Sequence, residues 1–167
     1  MQVGMHASVQ DANKSEIGGW LRPVLEDLSQ VLSDDYGGTM EHLWIDFELT
    51  EFGSKPDGSA RHPFRFQKRV SGRSHFGLPP RPDTFNVGHF SVRPDFEFLM
   101  SLSRKRAVRY ALSLIYQGTE VLLAKQRKLG GFDAMRFRQR LASECAALGY
   151  RVETRPLATA ALRQSIE

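Results

Sequence analysis

The chain has 167 residues, 41% of them apolar, with 23 Lys and Arg against 19 Asp and Glu and one cysteine, Cys145. That length and apolar share suit a single domain with its own core, and a lone cysteine excludes an internal disulfide framework or a Cys-based zinc site. The most apolar stretch, Ala107 to Ala124, is broken by Arg109, Gln117, Gly118 and Glu120, short of the roughly 18 apolar residues that a bilayer span needs, and the N-terminus lacks the charged-then-apolar pattern of a signal peptide, so a cytoplasmic setting is expected.

Residues 1–15 are polar and without period, which predicts a loose arm. From there Leu21, Val24, Leu25, Leu28, Val31 and Leu32 recur at spacings of three and four, predicting an amphipathic helix from Leu21 to Ser33, with Pro23 in its first turn and Gly37-Gly38 beyond its end. Strict alternation over 42–52 predicts a strand, with Leu43, Ile45, Phe47 and Leu49 on one face and Trp44, Asp46, Glu48 and Thr50 on the other. A second alternating run over 62–70 pairs with it in the expected hairpin, bringing Arg65 and Arg69 across from Asp46 and Glu48.

The proline- and glycine-bearing run 71–84 reads as a long loop, 85–92 as a third strand, and Tyr150 to Glu153 is the candidate for a fourth. Ser101 or Ser103 caps a helix with Val108, Ala111, Leu112 and Ile115 as its buried stripe, and Gly118-Thr119 marks a break before a further piece through Leu129. Asp133 opens another helix, with Phe137, Leu141, Cys145 and Leu148 as its stripe and Gly149 as its end. The expected fold is therefore one α+β domain over 1–167: a small, mainly antiparallel sheet packed against N-terminal and C-terminal helices, with a weakly structured tail after 156.

No phosphate-binding glycine loop, hydrolase nucleophile elbow or HExxH pattern is present, so no cofactor, metal or catalytic residue is expected. Cys145 on an apolar stripe reads as a small inert hydrophobe. Charge is distributed unevenly: residues 1–60 carry 3 basic and 11 acidic residues, and residues 61–167 carry 20 and 8. Two surfaces stand out. One is acidic with aromatics among the carboxylates, Asp34, Asp35, Tyr36, Glu41, Trp44, Asp46 and Glu48, the composition that steers and anchors a basic protein partner. The other is Arg104, Lys105, Arg106 and Arg109, four cations on the first turns of a helix where the macrodipole disfavours them, so that Asp95 and Glu97, the acidic N-terminal third or an external polyanion is needed nearby. Lys125, Arg127, Lys128, Arg136, Arg138 and Arg140 extend that positive charge.

A small domain built on Leu43-Trp44-Ile45-Asp46-Phe47-Glu48, with an acidic surface and no catalytic set, resembles the bacterial immunity proteins that neutralise polymorphic or contact-dependent toxins. The resemblance implies a non-enzymatic inhibitor whose carboxylates cover the active site of a cognate toxin, a basic nuclease domain. The alternative reading is a basic RNA- or DNA-binding accessory protein. A third is a metal-independent ribonuclease, with His62, Arg65, Arg69, Arg73, His75 and His89 supplying proton transfer and phosphate contacts.

Overall fold

A computed structural model describes residues 2–7, 12–35, 43–49, 64–66, 88–125 and 134–166. In chain order these form β1 (Gln2–Ala7), α1 (Ala12–Asp35), β2 (Leu43–Leu49), β3 (Phe64–Phe66), β4 (Gly88–Val92), α2 (Phe96–Ser101), α3 (Arg104–Lys125), α4 (Ala134–Ala147) and α5 (Thr159–Ile166).

The first helix begins well before Leu21. Ile17 joins Leu21, Leu25, Leu28 and Leu32 in one buried stripe, so α1 runs through Gly18-Gly19 and carries Pro23 in its interior. An interior proline costs about 3 kcal/mol, and a fully buried Leu or Ile contributes about 1.5–3 kcal/mol, so the five-residue stripe outweighs it. Gly19 is exposed, and a Cβ built there meets nothing within 4 Å. Gly19→Ala is therefore expected to stabilise by about 0.5–1 kcal/mol through the lost freedom of the unfolded chain. A melting temperature no higher than the parent's would show that Gly19 is needed to accommodate the proline four residues on.

The strands form one sheet in the order β1-β2-β4-β3. β1 lies parallel to β2, with Gln2 opposite Trp44 and Ala7 opposite Leu49; β2 lies parallel to β4, with Leu43 opposite Gly88 and Phe47 opposite Val92. Only the short edge strand β3 is antiparallel, Phe64 standing opposite Val92. A parallel pair needs a long crossover, which α1 supplies between β1 and β2.

This overturns the expected mainly antiparallel sheet. Helices make up most of the described residues, two of the three ladders are parallel, and β2 and β3 form no hairpin because β4 lies between them. Asp46 stands opposite Gly4 and Ser91 rather than across from Arg65, and Glu48 stands opposite His6. Alternation assigns residues to faces and says nothing of which strand lies alongside. The loose arm over 1–15 is likewise corrected, since β1 and the start of α1 occupy most of it, and the tail after 156 carries α5. The loop 71–84 lies outside the described residues.

Val92 is fully buried and Phe64 packs against the core, so their shared face is the covered one, with α1 against β1 and α3 against β4. By register that face also takes Met5, Ile45, Phe47 and Phe90.

The expected break at Gly118-Thr119 does not occur. Helix α3 is continuous, and the Thr119 hydroxyl donates to the Ile115 carbonyl at 2.8 Å, satisfying itself within the helix. From Ala107 to Thr119 every residue but Arg109 is buried, because α1, α4, α5 and β4 all pack around this helix. In α4 the expected stripe of Phe137, Leu141 and Cys145 is buried, while Leu148 is exposed. Burial pushes the Cys145 thiol up to about 12, which leaves it protonated and inert.

Candidate anion-binding surface

The segment expected as a fourth strand, 150–153, is instead an extended stretch laid along α3. It is fastened by side chains spaced four residues apart, hence on one stripe of the helix. Arg109 Nε donates to the Arg151 carbonyl at 2.7 Å, the Ser113 hydroxyl accepts the Glu153 N–H at 3.1 Å, and Gln117 Nε2 donates to the carbonyls of Glu153 and Arg155 at 2.9 and 2.7 Å. Between Ala107 and Gly118 these three interrupt a run of apolar and tyrosine residues, and each takes a backbone group that no sheet partner serves. The next member of the stripe toward the N-terminus is Lys105.

Gly149 aims the segment. Its φ of +92° closes α4, with the Gly149 N–H donating to the Ala146 carbonyl and the Tyr150 N–H to the Cys145 carbonyl, each at 2.9 Å. The chain then turns so that Gly149, Tyr150 and Arg151 line a cleft of about 320 Å³ whose other wall is Lys105 and Arg109.

The carboxylates near this end of α3 are committed elsewhere. Asp95 caps α2, accepting the Phe98 N–H at 3.0 Å, and its other oxygen takes Arg163 Nη2 at 2.6 Å. Glu153 accepts both Nε and Nη2 of Arg155 at 2.9 Å. The bonds from Arg155 hold its carboxyl at about 2, with Arg109 adding a smaller pull in the same direction. Glu97 is exposed on α2. Among the described residues no carboxylate pairs with Arg104, Lys105 or Arg106, all of them exposed.

The rest of the basic surface is narrower than its composition implies. Arg138 pairs with Glu120 at 2.9 Å and Arg140 with Glu144 at 2.8 Å. Arg127 and Lys128 lie outside the described residues.

The described acidic candidates fall on two elements. Asp34 and Asp35 close α1, Tyr36 and Glu41 lie outside the described residues, and Trp44, Asp46 and Glu48 share one register face of β2, opposite to the Val92 face. Of the ribonuclease set, Arg65 on β3 and His89 on β4 fall on that same face, while His62, Arg69, Arg73 and His75 lie outside the described residues. Among the described residues no group of three or more His, Cys, Asp or Glu is placed to hold a metal. No helix among them is long and apolar enough to cross a membrane.

The chain matches no family model, no curated protein and no solved structure. The site is read from its own chemistry. Arg104, Lys105, Arg106 and Arg109 stand out in the sequence, whereas Gly149, Tyr150 and Arg151 come beside Lys105 and Arg109 only through the fold; the four-residue spacing of Lys105, Arg109, Ser113 and Gln117 was the signal that this side of α3 receives another segment.

Proposed function

We propose that this chain is a non-catalytic, cytoplasmic nucleic-acid-binding protein that grips phosphate with the cationic N-terminal end of α3. The observation that carries this reading is the commitment of Asp95 to Arg163, which leaves Arg104, Lys105 and Arg106 without a carboxylate among the described residues. Cations in a first helical turn stand in an unfavourable dipole field, and a polyanion relieves it. Each phosphate contact on a single strand contributes about 0.7 to the slope of log affinity against log salt, so replacing all three by alanine is expected to reduce that slope by about 2. The test is fluorescence anisotropy of a short labelled single-stranded RNA across a salt series. Absence of binding at about 50 mM salt, where such contacts are strong, rejects the reading.

A second reading is favoured by the register. Trp44, Asp46 and Glu48 alternate along an interior strand, in the register phase opposite to Val92, and are the residue types with which a basic partner would be engaged. On this reading the chain is an immunity-type inhibitor of a cognate nuclease toxin. Neutralising Asp34, Asp35, Asp46 and Glu48 together is then expected to abolish co-purification with the product of an adjacent toxin gene while leaving the melting temperature unchanged; retained complex rejects it.

A further inference from the structure

We infer that the cleft between the start of α3 and the end of α4 holds one nucleoside monophosphate unit, its phosphate between Lys105, Arg109 and Arg151 and its base against Tyr150. The inference rests on the nucleic-acid reading and sharpens it from a charged surface to a defined subsite. Three features support it.

The first is the stripe on α3. Arg109, Ser113 and Gln117 each meet the backbone of 151–155, whereas Lys105, the next position, meets the open cleft. Lys105 and Arg109 are like charges one helical turn apart, an arrangement that weakens a helix by about 0.2–0.5 kcal/mol unless an anion lies between them. The second is the posture of Arg109. Its Nε is held by the Arg151 carbonyl at 2.7 Å, which fixes the guanidinium plane and leaves the terminal N–H groups for a forked contact with phosphate oxygens. The third is size and lining. About 320 Å³ falls in the range of small-ligand sites, and the cleft is half-open and mostly apolar in lining, with the half-buried Tyr150 as the aromatic residue beside Lys105, Arg109 and Arg151.

The test uses calorimetric titration of the full chain with adenosine 5′-monophosphate, adenosine and inorganic phosphate, beside the RNA anisotropy measurement. The monophosphate is expected to bind and to displace RNA, adenosine to do neither, and inorganic phosphate to bind at least about tenfold more weakly, the loss of one stacked base. Lys105→Ala and Arg151→Ala, both at exposed positions, are expected to weaken the monophosphate at least about tenfold, while Arg22→Ala, an exposed cation of α1 that does not line the cleft, leaves it unchanged. RNA binding that the monophosphate does not displace, or displacement unaffected by Lys105→Ala and Arg151→Ala, overturns the subsite and leaves the nucleic-acid reading standing. Inorganic phosphate binding as tightly as the monophosphate also overturns the nucleotide assignment. Monophosphate binding without RNA binding overturns the nucleic-acid reading and keeps the cleft.

Discussion

Gln117→Leu is expected to lower stability by about 2–3 kcal/mol, although leucine matches glutamine in volume and leaves no cavity. Gln117 is only 6% exposed, and its amide serves two backbone carbonyls of the extended segment, those of Glu153 and Arg155. Each bond contributes about 0.5–1.5 kcal/mol net, and the carbonyl of Glu153 is partly buried, so part of its desolvation goes uncompensated. The effect extends to the cleft. Tyr150 and Arg151 are aligned by the same fastening, so monophosphate affinity is expected to fall in a variant that touches no ligand. Urea unfolding of Gln117→Leu beside Ser113→Ala, which removes one bond and about 1 kcal/mol, checks the assignment. Wild-type stability in Gln117→Leu would falsify the view that side chains of α3 hold this stretch in place.

Asp95→Ala is expected to cost about 2 kcal/mol and Asp95→Asn about half of that. One oxygen of Asp95 caps α2 through the Phe98 N–H, and the other takes Arg163 of α5, so a single carboxylate joins two helices. Asparagine keeps a capping oxygen and removes the charge; alanine removes both. The ion pair is about one-third exposed on each side, which holds its own contribution to about 1 kcal/mol. Around it Arg163 lies over the Phe98 ring at 5.2 Å, and Phe98 meets Tyr110 edge-on at 4.9 Å, so Arg163 also loses its orientation when Asp95 goes. Thermal unfolding separates the two variants. Equal losses for Asn and Ala would mean that the cap contributes nothing and the charge everything.

The helical stripes were legible because burial repeats at spacings of three and four regardless of what the helix packs against. Leu21, Leu25, Leu28 and Leu32 in α1, Val108, Ala111, Leu112 and Ile115 in α3, and Phe137, Leu141 and Cys145 in α4 are all buried. Helix limits were less legible. Pro23 and Gly118 are local breakers, and at both positions the surrounding apolar contacts outweighed local preference. The sheet was misread for a different reason. Strand alternation over Leu43–Leu49 is a local signal, whereas the neighbours of that strand are β1 and β4, each about forty residues away along the chain. The site was half legible. A run such as Arg104-Lys105-Arg106 is visible in any reading, but whether Asp95 neutralises it depends on α5, and Tyr150 and Arg151 reach it only because Gly149 adopts a left-handed turn.

The order β1-β2-β4-β3 has a kinetic corollary. Both parallel ladders join segments far apart in sequence, Gln2 with Trp44 and Leu43 with Gly88, so among the described residues the sheet has no short hairpin from which to nucleate. Closing such large loops carries an entropic barrier that local helix formation does not meet. During synthesis α1 has all its residues outside the ribosome well before Val92 emerges, and the part of its surface that packs on α2, α3 and α4 waits uncovered until the second half of the molecule arrives.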